Sequence, residues 1–210
     1  MKKSLALLLA LLTVCALLSG CREEQDAQSD AKPVIYFYPS TETEITVSLD
    51  YGGELACVYP AMEDGAWTVT ARPDGTLTDA EGQTYNYLYW EGVSDAEYDF
   101  SRGFCIPGTE TAAFLEDALS QLGLTRREAN EFIVYWLPRM EPNPYNLIAF
   151  QSDAYTGHAR LTVIPEPDSV LRVFMAWKPL DAPVDIPAQD FPAFGRTGFT
   201  VVEWGGAEVR

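Results

Sequence analysis

The stretch Gly108–Pro138, GTETAAFLEDALSQLGLTRREANEFIVYWLP, decides the fold, because here the apolar spacing changes from two to between three and four. Phe114, Leu115, Ala118, Leu119 and Leu122 line one helical face, with Thr109 or Thr111 placed to cap the start and Gly123 to end it. Thr125-Arg-Arg-Glu128 has the form of a capping box, in which the threonine and glutamate side chains each satisfy the other's backbone N–H, and opens a second short helix to about Phe132. Ile133–Leu137 is β-branched and aromatic and is followed by Pro138. That composition predicts a strand, turned back by Glu141–Pro144 into a hairpin with Tyr145–Phe150.

Upstream of this stretch the period is two. Pro33–Tyr38 (PVIYFY) is an apolar run bounded by prolines, and Ile45, Val47 and Leu49 alternate along Glu44–Tyr51. The pieces Trp67–Arg72, Thr76–Asp79 and Thr84–Trp90, separated by turns at Pro73-Asp-Gly75 and Ala80-Glu-Gly82, predict a three-stranded meander. In its last strand Tyr85, Tyr87 and Tyr89 share one face while Asn86, Leu88 and Trp90 share the other. Downstream, Arg160–Ile164, Val170–Trp177 and Phe199–Trp204 return to strands. A connection carrying Pro179, Pro183, Pro187 and Pro192 should cross the surface in extended form. Strands, two helices, then strands again is the order expected of an α+β domain with a largely antiparallel sheet and two helices inserted mid-chain.

The first residues carry an address. Lys2 and Lys3 precede an apolar run from Leu5 to Leu18, a secretory layout too short to span a bilayer, which needs roughly 20 apolar residues. Leu18-Ser-Gly-Cys21 resembles a bacterial lipobox, so residues 1–20 are read as a lipoprotein signal peptide and Cys21 as the lipidated residue. The lipid would hold the protein on the extracytoplasmic face of a membrane, since each buried CH₂ contributes about 0.8 kcal/mol. Residues 22–32 hold no aromatic or branched aliphatic residue, and 21–32 reads as a lipidated cysteine and flexible tether. From Pro33 to Arg210 about 178 residues remain, which favours a single domain. Eleven Tyr, ten Phe and five Trp promise a large core.

The formal charge is −17, and loss of Lys2 and Lys3 takes it to −19. Nucleic acid is disfavoured as a partner, since phosphate binding draws its affinity from clustered Lys and Arg. Of four cysteines, Cys15 leaves with the signal and Cys21 is lipidated. Cys57 and Cys105 are then candidates for a disulfide in an oxidising compartment, with free buried thiols as the alternative.

The segments KPVIYFYP (Lys32–Pro39), YNYLYWEG (Tyr85–Gly92), LTRREANEFIVYWLP (Leu124–Pro138) and VFMAWKPL (Val173–Leu180) are similar to those of a group of uncharacterised bacterial lipoproteins, chiefly of Firmicutes. The resemblance spans nearly the whole mature domain. It implies the membrane address and one recurring domain, and no activity.

Chemistry is sparsely signalled. One His and two distant thiols do not make a zinc set, no calcium-loop pattern occurs, and neither a phosphate-cradling glycine loop nor a G-x-S-x-G elbow is present, so no metal or cofactor is expected. Cys105 with His158 could in principle make a nucleophile and base, as any two such residues in a chain could, and a disulfide would remove the nucleophile. Glu91, Asp95, Asp99, Glu131 and Glu141 lie in or beside aromatic segments, as glycosidase-like paired carboxylates would. Tyr85, Tyr87, Tyr89, Trp90, Tyr135 and Trp136 are candidates for a platform that binds cell-wall glycan or an envelope protein, although core packing claims most aromatics in such a sheet. The reading is therefore a lipid-anchored, non-catalytic binding or interaction module, with a cell-envelope hydrolase as the alternative.

Overall fold

The computed structural model describes residues 28–151 and 153–209; the expected signal peptide, Cys21 and the first part of the expected tether lie outside the described residues. The fold is α+β and dominated by strands.

A seven-stranded sheet forms the middle layer. Its strands are β1 (Gln28–Tyr38), β3 (Glu54–Tyr59), β7 (Leu88–Ser94), β8 (Phe104–Pro107), β9 (Tyr145–Gln151), β11 (Ser169–Leu180) and β12 (Thr200–Glu208), in the order β3-β7-β1-β12-β11-β9-β8. All neighbours pair antiparallel except β11 and β12, which run parallel in the register Ser169↔Thr200. A parallel pair needs a long crossover, and the proline-rich connection supplies it. This connection runs along the β8 edge, where Gly103 N–H donates to Pro187 O and the backbone of Phe150 pairs with the Gln189 side chain.

The run PVIYFY is apolar throughout because β1 is covered on both faces. Val34 and Tyr36 pack with the helices, whereas Ile35 and Phe37 pack with a second sheet. The helices are α1 (Thr111–Leu122) and α2 (Arg126–Met140). The second sheet has the order β10-β2-β4-β5-β6, from β2 (Thr43–Tyr51), β4 (Ala66–Ala71), β5 (Leu77–Thr78), β6 (Thr84–Tyr85) and β10 (Ala159–Ile164). A short helix α3 (Asp153–His158) leads into β10. The result is three layers, helices on sheet on sheet, with a core on each side of the middle one, and all five tryptophans are fully buried in them.

Several expectations are corrected. Ile133–Leu137 is helix, not strand, because Phe132, Trp136 and Met140 recur every four residues and all face the core. Pro138 sits in the last turn, so the hydrogen bond it cannot give to the Val134 carbonyl lies close to the helix end. No hairpin therefore joins this segment to β9, which pairs instead with β8 and β11. The capping box of Thr125 and Glu128 is present, and Gly123 ends α1 in the left-handed conformation at φ 99°. Neither Thr109 nor Thr111 caps α1, which follows directly on a 3₁₀ turn at Gly108–Glu110.

Thr84–Trp90 is not one strand. It breaks at Asn86-Tyr87, leaving β6 in the smaller sheet and starting β7 in the larger one. The segment expected as tether is strand from Gln28 onward, since Asp30 is fully buried and accepts hydrogen bonds from the hydroxyls of Tyr51 and Tyr98.

Cys57 and Cys105 are not bridged. They lie on β3 and β8, the two opposite edges of the seven-stranded sheet. Six inter-strand steps of about 4.8 Å hold them roughly 29 Å apart, and a disulfide tolerates no more than about 7 Å between Cα atoms.

A tyrosine-lined candidate binding site

The helices cover β1, β12, β11 and β9 but leave β7 and its edge partner β3 uncovered on the same side. On β7 the residues alternate cleanly. Leu88 and Trp90 point into the core between the sheets, and Tyr89, Glu91 and Val93 point to the uncovered side. Trp90 is thus a core residue whose indole N–H donates to the buried Glu203 at 3.1 Å, and Trp136 is likewise core beneath α2. Both are removed from the candidate binding residues. Tyr85, Tyr87, Tyr89 and Tyr135 remain, each half-buried.

Two connected features are built from them. The first is an open depression of about 440 Å³ lined by Tyr59, Thr76, Thr84, Tyr85, Asn86 and Tyr87. Tyr59, at the end of β3, is 60 % exposed and meets Tyr85 edge to face at 5.6 Å. Tyr85 is aimed by Asp79, whose carboxylate accepts its hydroxyl at 2.7 Å and the turn N–H groups of Glu81 and Gln83. The hydrogen bond to Asp79 pushes the Tyr85 hydroxyl up to about 12, so it stays a neutral donor. The same bond holds Asp79 below the usual carboxylate range.

The second feature adjoins the first through Tyr87. The Lys32 ammonium lies 5.1, 5.3 and 5.9 Å from the ring centroids of Tyr87, Tyr89 and Tyr135. Lys32 is brought there by a bulge in β1, with φ 60°, a backbone state that costs a non-glycine residue energy and must be held by its surroundings. The holding group is Glu91, which accepts the Lys32 backbone N–H at 3.1 Å. Burial, followed by the hydrogen bond to Glu91, raises the pKa of the Tyr89 hydroxyl. Behind these three rings, Tyr36 meets Tyr87 edge to face at 5.4 Å and donates to Glu131 on α2 at 2.8 Å. Arg127 reaches the Asn86 side chain at 3.4 Å, and Arg139 stacks 4.2 Å over Tyr135.

Of the five acids singled out from the sequence, Glu91 and Glu131 border this site, and each is already an acceptor within the fold. Asp95 is exposed, Asp99 caps a turn through Ser101, and Glu141 is the exposed C-cap of α2. Cys105 and His158 do not meet. Cys105 accepts the Val184 N–H at one sheet edge, whereas His158 packs edge to face on Tyr51. Among the described residues no group of three or more His, Cys, Asp or Glu is arranged to hold a metal ion, and no helix is long and apolar enough to cross a membrane.

A second polar cluster centres on two buried acids, Asp30 and Glu203. Asp30 is bonded by Tyr51 and Tyr98, and Glu203 is paired to Arg172 at 2.5 Å. Gly92 is required beside them, because a Cβ there would lie 2.2 Å from the Tyr51 ring. Burial raises the pKa of the Asp30 carboxyl despite its two tyrosine donors.

Lys32, Tyr59, Thr76, Thr84 and Asn86 were not singled out from the sequence as site residues. Tyr59 could have been found, since it ends a short apolar run, Leu55–Tyr59, of strand length. Lys32 could not, because its place depends on a bulge that no local pattern announces.

No family profile matches the chain, and no solved structure matches it. Over 79 residues, 36 % of this chain, it is 54 % identical to an "Uncharacterized protein in bglA 3'region" of Butyrivibrio fibrisolvens, of which the match covers 81 %.

Proposed function

The chain belongs to the same family as that uncharacterised Butyrivibrio fibrisolvens protein, and we propose that it is a lipid-anchored module of the cell envelope that binds a ligand through its tyrosine-lined face and catalyses no reaction. One observation carries this reading. Tyr59, Tyr85 and Tyr87 line one open depression and Tyr89 and Tyr135 stand beside it round Lys32, while the apolar residues of β7, Leu88 and Trp90, are spent on the core. Tyrosine faces with free polar edges suit sugar rings and protein partners, which present flat apolar patches rimmed by hydroxyl or amide groups.

The proposed anchor agrees in geometry with this use. Six residues lie between Cys21 and Gln28, and the seven Cα–Cα steps reach at most about 25 Å, so the Gln28 end of β1 would face the membrane. β7 runs antiparallel to β1 from Leu88 to Ser94, with Ser94 opposite Gln28. The depression lies beyond Leu88, at the end away from the anchor.

A hydrolase would need two acids facing each other across a cleft. Glu91 and Glu131 border the site but are engaged by Lys32 and Tyr36, and nothing favours them as a catalytic pair. The test is retention on purified envelope fractions. Wild-type protein should be retained, and Tyr87→Ala and Tyr59→Ala should each weaken retention by roughly 1–3 kcal/mol while the fold persists. Equal retention of wild type and both variants would refute the reading.

A further inference from the structure

The chain is strongly acidic, yet its free basic groups are not scattered. Among the described residues, Arg72, Arg102, Arg126, Arg172 and Arg196 each lie within 3.2 Å of a carboxylate. Lys32, Arg127, Arg139, Arg160 and Lys178 do not, and the first three surround the tyrosine-lined face. The Lys32 ammonium has no carboxylate within 4.0 Å among the described residues, and its hydrogen-bond partner is the Tyr87 hydroxyl at 3.5 Å. Arg127 approaches Glu131 only at 4.0 Å and turns toward Asn86 in the wall of the depression. Ring faces attract an ammonium without neutralising it. A lysine held this way keeps its charge for an incoming anion, and its place is fixed before the anion arrives.

The two acids that border the site, Glu91 and Glu131, each accept a hydrogen bond from within the fold. The carboxylate of Glu91 takes up the Lys32 backbone N–H, and that of Glu131 the Tyr36 hydroxyl. Aromatic faces for rings, hydroxyls and Asn86 for polar edges, and a fixed cation between them define the ligand. We propose that the site binds an anionic glycan, a sugar or polyol chain bearing carboxylate or phosphate groups, with Lys32 reading the charge and Tyr85, Tyr87 and Tyr89 packing against the chain. This deepens the binding-module reading and rests on it.

Full-length protein in detergent is titrated with three probes of matched length, an oligogalacturonate, a poly(glycerol phosphate) oligomer and an uncharged gluco-oligosaccharide. At least one anionic probe should bind at least tenfold more tightly than the neutral one, with affinity falling as salt is raised. The two anionic arms tell carboxylate from phosphate. Lys32→Gln should lose about tenfold in affinity for that probe and Lys32→Arg should recover part of it, while Lys178→Gln, remote from the site, should change nothing. Because Lys32→Gln touches a strained bulge, Arg139→Gln on the exposed side of α2 serves as a second variant and should weaken the same probe without shifting the thermal midpoint. Neutral and anionic probes binding alike, with Tyr87→Ala losing both and neither charge variant losing either, would overturn the anionic assignment and leave the binding module standing. No binding of any probe, together with no retention on envelope fractions, would overturn both.

Discussion

The Lys32 ammonium stands over the ring of Tyr87, 5.1 Å from its centroid, although the two residues are 55 positions apart in sequence. The contact ties the bulge in β1 to the bend between β6 and β7, where the chain passes from one sheet to the other. The same bend opens the depression, so the feature that joins the two sheets also makes the site.

The aromatics divide into core and surface, and stability should divide the same way. Trp90→Ala and Trp136→Ala remove fully buried indoles and should cost about 3–5 kcal/mol each. Tyr59→Ala, at an exposed strand end, should stay within about 0.5 kcal/mol. Denaturant unfolding of the three variants measures this. Similar losses in all three would mean that Tyr59 supports the fold.

Glu128 and Asp30 should titrate with opposite signs. Burial opposes the charge on Glu128, but Arg196 at 2.5 Å, the Thr125 N–H and the Tyr38 hydroxyl outweigh it and hold its pKa low. Its contribution is therefore full above the ordinary glutamate value, about 4.3, and is lost as pH falls through the lowered one. Arg196→Ala leaves the Glu128 charge unpaired and should cost roughly 2–4 kcal/mol near neutrality, somewhat below the 3–5 of a wholly buried pair because Arg196 keeps 26 % exposure. Asp30 has a raised pKa, so its contribution is greatest below the ordinary aspartate value, about 3.9, and declines as pH rises through the raised one. Asp30→Asn should flatten that decline in urea midpoints measured across the acid range. An unchanged slope would count against Asp30 as its source.

With Cys57 and Cys105 on opposite edges of one sheet, thiol titration of the denatured, unreduced chain should find both free. Reductant should leave the thermal midpoint where it was. A mass spectrum showing a Cys57–Cys105 cross-linked peptide would contradict the sheet order.

The proposed anchor is tested separately. Cys21→Ala should abolish incorporation of a labelled fatty acid and leave the protein unprocessed or released, whereas unchanged incorporation would rule out Cys21 as the lipidated residue.

The sequence announces the elements whose two faces are set by local pattern. PVIYFY reads as a strand, Ile45, Val47 and Leu49 mark one inward face, and Thr125 with Glu128 marks the start of a helix. It misleads where tertiary burial outvotes propensity. Ile133–Leu137 has strand composition, but burying Phe132, Trp136 and Met140 together requires helix. Thr84–Trp90 alternates without interruption, so nothing local marks the point where it leaves one sheet for the other. Residues 28–32 have the composition of a tether and become strand only because β7, β12 and the two tyrosines on Asp30 receive them. Half of the candidate site was legible for the same reason. Tyr85, Tyr87 and Tyr89 follow a period of two, whereas Lys32 and Tyr59 reach them through long-range pairing.

Cys57 gives the central claim its most direct measurement. It is exposed on β3 opposite Glu91, on the open face beside Tyr89, and Cys105 on the far edge provides an internal reference. The rates at which a thiol reagent alkylates the two cysteines in the native protein are compared with and without soluble envelope glycan. The account expects bound glycan to slow alkylation of Cys57 severalfold and to leave Cys105 unchanged. Equal rates for Cys57 with and without saturating envelope material would contradict it.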